Sequence, residues 1–153
     1  MRKAAGMGLS VAKPWNEGER YDFIVRVETV CWRVQVKSVL AKSRARHHYR
    51  VQMATRTRSD ASSTYSASDI DFLVAYIFPE DLWYVFPAER IAGQKSVCIR
   101  PGSKNSTLER YREAWRLMKP GSGELPLLAK AGRGGAAAAG TNSLVSKNAV
   151  PDG

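Results

Sequence analysis

Residues Tyr21 to Leu40 read YDFIVRVETVCWRVQVKSVL, and both halves of this stretch alternate in polarity with a period of two. Successive strand side chains point to opposite faces of a sheet. The spacing therefore predicts a hairpin with a two-residue turn at Glu28-Thr29. In that register Phe23 faces Val34, Val25 faces Trp32 and Val27 faces Val30, which makes one face wholly apolar. Asp22 then faces Gln35, Ile24 faces Arg33 and Arg26 faces Cys31, with Lys37 one same-face position beyond Gln35. A one-residue slip would mix the faces. A two-residue slip would preserve them, and Glu-Thr is not a favoured tight-turn pair, so the alternation leaves both registers open.

The polar face carries a set of groups with a chemical use. A hard cation prefers oxygen ligands. Asp22 supplies a carboxylate, Gln35 an amide oxygen and Val36 a main-chain carbonyl. Lys37 could orient or deprotonate a water, or neutralise developing charge. On spacing alone, an ordinary solvated strand face is the commoner outcome, because an Asp followed at a distance by Gln-x-Lys is a loose pattern.

The surrounding segments narrow the choice. Asp22 is followed thirteen residues later by Gln35-Val36-Lys37. This order resembles the PD-(D/E)XK nuclease signature, in which an Asp opens one strand and an acid-or-Gln, any residue, Lys tripeptide sits in the next. The segment PWNEGERYDFIVRVETVCWRVQVKSV is similar to a bacterial branch related to group I intron homing endonucleases, where Gln replaces the usual acid. YRVQMATR, DIDFLVAYIFPEDLWYVFP and ERYREAW continue the likeness, which spans roughly residues 8 to 118.

The resemblance implies an α/β, restriction-endonuclease-like fold with a mixed central sheet flanked by helices. It implies metal-dependent cleavage of DNA, with Mg2+ or Mn2+ as cofactor. It carries over to Asp22 and Gln35 as metal-site residues, to the Val36 carbonyl as a further ligand, and to Lys37 as the catalytic lysine. Assembly of several copies to span a DNA site is also a family implication. Two positions depart from the pattern. Tyr21 stands where the signature has Pro. No acidic residue precedes Glu17, so the opening helix with its Glu has no counterpart, and MRKAAGMGLSVAKPW reads as the end of a truncated helix. The alternative function is a catalytically impaired nucleic-acid-binding module of the same fold. A structural basic protein, such as a ribosome-associated factor, is a further rival.

Charge points to the same class of partner. The net charge is +10 with a pI near 10.0, and a strongly basic balance favours a polyanion such as nucleic acid. From Thr29 to Ser59 there is no Asp or Glu. The same stretch holds Arg33, Lys37, Lys42, Arg44, Arg46, Arg50, Arg56 and Arg58. Apart from Lys37, these residues form a candidate phosphate-contacting strip. His47 and His48 sit within it. Adjacent strand residues point opposite ways, so the pair reads as a surface pair rather than as two ligands of one ion.

Two cysteines, Cys31 and Cys98, are too few for a zinc cluster. No signal peptide and no membrane-length apolar run is present, so a reducing cytoplasm with free thiols is expected. Further strands are predicted at Tyr49–Met53, Phe72–Phe78, Leu82–Phe86 and Val97–Ile99. Residues 56–68 read as a polar loop. Asp69 and Asp71 read as turn residues, and a short helix should run from Pro87 to Gly93. Ser106-Thr107-Leu108-Glu109 has capping-box spacing. It should start a helix whose stripe is Leu108, Tyr111, Trp115 and Met118. One domain over 1–118 is expected, with 119–153 a disordered tail: those 35 residues hold seven glycines and seven alanines and lack periodicity.

Overall fold

The structure, a computed structural model, describes residues 2–16, 18–43, 48–56 and 62–121, with only the main chain described at 54–56 and 62. A short helix α1 (Arg2–Gly6) leads to strand β1 (Ser10–Ala12), which pairs antiparallel with the first hairpin arm, β2 (Phe23–Val27). The second arm, β3 (Val30–Val39), pairs with β2 in the predicted register, with Phe23 opposite Val34, Val25 opposite Trp32 and Val27 opposite Val30. Glu28 takes the turn at φ 55°. A side chain in that left-handed region is uncommon, and here the face requirement of two long arms overrides the poor local turn chemistry.

β3 continues well past its partner, and its second half pairs parallel with β7 (Phe72–Ile77), Val34 lying opposite Phe72 and Gln35 opposite Leu73. β7 then pairs antiparallel with β8 (Leu82–Pro87). The result is a mixed five-stranded sheet in the order β1-β2-β3-β7-β8. β7 is central and contiguous in apolar residues because both of its faces are buried. Phe72, Leu73, Val74 and Ala75 are almost wholly inaccessible to water.

A parallel pair needs a long crossover, and the described residues between β3 and β7 include three strands. β4 (Tyr49–Gln52) pairs antiparallel with β9 (Ser96–Ile99) in a second sheet. Tyr49, Val51 and Met53 are buried as the alternation predicts, and Arg50 and Gln52 are exposed. β5 (Ala54–Arg56) and β6 (Ser62–Thr64) form a third, two-stranded piece. Part of the expected 56–68 loop is therefore strand, and Tyr65 just after it is buried.

The apolar stripe near the end packs against the core, with Tyr111 and Met118 buried and Leu108 and Trp115 partly so, but it is not one helix. α2 (Ala88–Ile91) is the predicted short helix, followed by Gly93 at φ 74°. Beyond it, two 3-10 turns, Thr107–Tyr111 and Trp115–Met118, are separated by extended Arg112 and by Glu113 at φ 47°. The break has a partner. Glu113 N–H donates to Trp83 O at 2.7 Å, and its carboxylate accepts Trp83 N–H at 3.0 Å. The segment thus exchanges helix bonds for bonds to β8, the edge strand. The capping box is half formed: Ser106 Oγ accepts Leu108 N–H at 3.3 Å. Glu109 turns instead to the Tyr84 hydroxyl and to Gly102 N–H. Burial and that carboxylate hold the Tyr84 hydroxyl far above its ordinary pKa. Trp32, 1 % exposed, meets the ring of Phe72 edge-on at 5.3 Å and donates its indole N–H to Met118 O at 2.8 Å. The C-terminal segment is thereby fastened to the sheet. Residues 122–153, most of the expected tail, lie outside the described residues.

Candidate active site

Asp22 stands just before β2, where its N–H donates to Val34 O at 2.9 Å. That bond lies one residue out of the β2–β3 register, which ends at Phe23 and Val34, and it is the Asp22 side chain that reaches Gln35 and Val36. One carboxylate oxygen, Oδ2, accepts the Val36 N–H at 2.8 Å and the Gln35 amide nitrogen at 2.6 Å. The same amide nitrogen lies 3.3 Å from Val36 O. The three predicted ligand groups thus meet at one point. Gln35 is only 8 % exposed, so its amide must be paired. An amide flanked by two acceptors turns its nitrogen toward them.

Lys37 follows on the same face of β3, half-buried, and its Nζ lies 5.4 Å from the centroid of the Tyr65 ring. The Arg20 guanidinium lies 5.7 Å from the same centroid. Arg20 is held in turn by Ser63 Oγ at 2.7 Å and Asp69 Oδ1 at 3.3 Å. Two cations flanking one ring fasten the β6 segment to the start of β2 and to Lys37. Asp69 also accepts Ser66 N–H at 2.9 Å and Ser66 Oγ–H at 2.7 Å. Burial pushes its carboxyl up, but the Ser66 bonds and the charges of Arg20 and Arg33 outweigh this and leave it below the usual carboxylate range. The turn reading of Asp69 fits this geometry.

The predicted phosphate-binding residues divide into three groups. Arg33 is engaged inside the fold: Nε lies 3.2 Å from Asp71 Oδ2, NH2 lies 3.0 Å from Oδ1, and further bonds reach Ala67 O and Ser68 O. The bond to Asp71 raises the Arg33 pKa despite partial desolvation. Asp71 also accepts Arg33 N–H at 2.7 Å, so it serves as a buried brace between β3 and the entry to β7. Lys42 and Arg50 are exposed; Lys42 Nζ lies 5.5 Å from the Tyr49 ring centroid and 3.9 Å from Glu80. Arg56 lies on β5, while Arg44, Arg46 and Arg58 fall outside the described residues. The expected surface histidine pair needs correction. His48 is 4 % exposed and packs within the fold; it precedes the first residue of β4, so the strand's alternation does not turn it away from buried Tyr49. His47 lies outside the described residues.

A family model of PD-(D/E)XK endonucleases matches residues 1–118. The chain belongs to the PD-(D/E)XK endonuclease family. In three dimensions this PD-(D/E)XK chain is similar to the bacterial homing endonuclease I-Ssp6803I, with 32 % identity and a TM-score of 0.66. The likeness covers 76 % of this chain and 82 % of that one. No curated protein matches the chain. The fold is restriction-endonuclease-like, with few helices around its mixed sheet.

Nucleases of this family usually use divalent cations, and the donor set is of the right kind. A carboxylate, an amide and a main-chain carbonyl are the hard groups such ions prefer. For Gln35 to offer oxygen rather than nitrogen, its amide must turn over. Among the described residues no group of three His, Cys, Asp or Glu side chains is placed to hold a metal. Any cation held by the Gln35–Val36 cluster would therefore take neutral oxygens beside the Asp22 carboxylate, with Glu19 lining the pocket next to it. Reasoning from the sequence missed Tyr65 and Arg20. The available signal was a lone aromatic inside the polar run SSTYSAS, which a solvent loop has no reason to carry.

Proposed function

We propose that this PD-(D/E)XK chain is a metal-dependent endonuclease that hydrolyses phosphodiester bonds in DNA. The observation that carries the reading is the meeting of Asp22 Oδ2, the Gln35 amide and Val36 O within 2.6–3.3 Å, with Lys37 on the same strand face. Asp22, Gln35 and the Val36 carbonyl would hold Mg2+ or Mn2+, and Lys37 is placed to orient a water or to neutralise charge on the phosphate. A bound divalent cation would offset phosphate charge and acidify a water. Tyr65 keeps the Lys37 ammonium in place. Lys42, Arg50 and Arg56, with Arg44, Arg46 and Arg58, supply sequence-independent attraction to the DNA backbone. Arg33 is left out of this strip because its guanidinium is committed to Asp71.

The homing endonuclease relative supports DNA as substrate. The body, residues 1–118, is the catalytic domain in this proposal, and 119–153 is dispensable for folding. The two cysteines are free and exposed, which suits a reducing cytoplasm. No described helix is long and apolar enough to cross a membrane.

One observation favours a second reading. The Gln35 amide nitrogen already satisfies Asp22 and Val36 O without a cation, as a binding module that has lost turnover would need. Plasmid cleavage with and without Mg2+ separates the two. The nuclease reading expects Mg2+-dependent cutting that Lys37→Ala and Asp22→Asn each abolish while DNA affinity stays within a few-fold. Cutting that survives Lys37→Ala would remove the catalytic assignment. DNA binding without any cutting would install the second reading.

A further inference from the structure

The connection from β1 to β2 carries an aromatic that the fold does not use. Trp15 is fully exposed, at 103 % of the reference accessibility. An indole is the largest apolar side chain and is strongly enriched where another molecule binds. Its position is specific. Trp15 lines a pocket of about 420 Å³ together with Lys13, Asn16, Glu19, Tyr21 and Asp22. Asp22 therefore faces two neighbourhoods, the Gln35–Val36 cluster and this pocket. Whatever occupies the pocket sits beside the carboxylate at the proposed cleavage centre.

We propose that this pocket is a nucleobase subsite. The base of a nucleotide next to the phosphate at Asp22 stacks on the Trp15 indole, and the Lys13 ammonium meets the adjoining phosphate. The pocket walls support a base rather than a second phosphate. Glu19 and Asp22 both line it, and two carboxyl groups repel an anion but tolerate a neutral ring. Asn16 Oδ1 accepts Gly18 N–H at 3.1 Å, which leaves the Asn16 amide hydrogens to donate to a base edge. Every base has a π face, so stacking holds the strand without demanding a sequence. The net charge of +10 brings the polyanion to the surface. This inference rests on the nuclease reading and adds the position of one base to it.

The test is binding of the full chain to a mixed-sequence single-stranded oligonucleotide and to an abasic strand of the same length, in metal-free buffer where cleavage is off. Trp15→Ala should bind the base-bearing strand about ten-fold or more weakly, the size of one lost stacking contact. Trp15→Phe should recover most of that affinity. On the abasic strand wild type and Trp15→Ala should be equal. Being solvent-exposed, Trp15 should be replaceable without loss of folding, which the melting temperature checks. Equal affinity of wild type and Trp15→Ala for the base-bearing strand overturns the subsite and leaves the nuclease reading intact. So does an equal loss on both strands, which would mean a phosphate or structural role. A wild-type chain that binds neither these strands nor duplex DNA overturns both readings together.

Discussion

The Lys37 ammonium nitrogen stands 5.4 Å from the centre of the Tyr65 ring, and Arg20 approaches the same ring at 5.7 Å. A cation held against an aromatic face keeps its charge while losing positional freedom. The proposed catalytic lysine is thus positioned by a residue from the crossover between the two parallel strands.

This relationship makes Tyr65 a positioning residue whose ring matters more than its hydroxyl. Tyr65→Phe should retain Mg2+-dependent cleavage within a few-fold. Tyr65→Leu should lower the cleavage rate by roughly ten-fold, the equivalent of about 1–2 kcal/mol for a partly desolvated cation–π contact. Single-turnover rates at saturating DNA, compared with DNA affinity, decide it. A drop in affinity with the rate unchanged would count against positioning.

Gln35→Glu alters the centre in a predictable direction. The amide nitrogen 2.6 Å from Asp22 Oδ2 becomes a carboxylate oxygen, and two like charges at that separation resist joint ionisation. Without a divalent cation the variant should melt lower than wild type. With millimolar Mg2+ its melting temperature should rise by more than that of wild type, since stabilisation follows affinity for the folded state. Identical Mg2+ responses in thermal melts would argue against an ion between these groups.

Arg33 and Asp71 should behave as a structural pair. Removing Asp71 leaves a half-buried guanidinium without its anion, and Asp71→Ala should cost about 3 kcal/mol of stability in urea unfolding. Arg33→Gln should likewise lower stability. Its effect on DNA affinity should be smaller than that of an Arg50→Gln change on the exposed face. The reverse order would return Arg33 to the phosphate strip.

Asp69 gives the fold an acid-sensitive latch. Its folded pKa lies below the ordinary carboxylate value because Ser66, Arg20 and Arg33 favour the ionised form. A depressed carboxyl contributes stability above its unfolded pKa and loses it as pH falls through the folded value. Wild type should therefore exceed Asp69→Asn in stability by a constant margin near neutral pH. That margin should shrink below about pH 4. Denaturant melts across this range provide the comparison, and a margin that stays constant as the pH falls below about 4 would contradict it.

What the sequence determined by itself was local. The alternation in YDFIVRV and VCWRVQVKSVL decided both faces of the hairpin, because a period of two leaves a strand little choice about which side chains are buried. It brought the Asp22 side chain within reach of Gln35 and placed Lys37 on the same strand face, and the register left open between two choices closed on the one expected. The apolar run Phe72–Ile77 marked the central strand for the same reason. Tertiary structure decided what depends on residues far apart in the chain. That β7 lies parallel to β3 follows from the path of the crossover, which no local period encodes. The same path delivers Tyr65 to Lys37, and Asp71 to an arginine 38 residues earlier. It also set β8 beside Glu113, whose exchange of helix bonds for an edge-strand bond broke a stripe that reads as one continuous helix. Periodicity reports which face a residue turns inward; only the folded chain determines what that face meets.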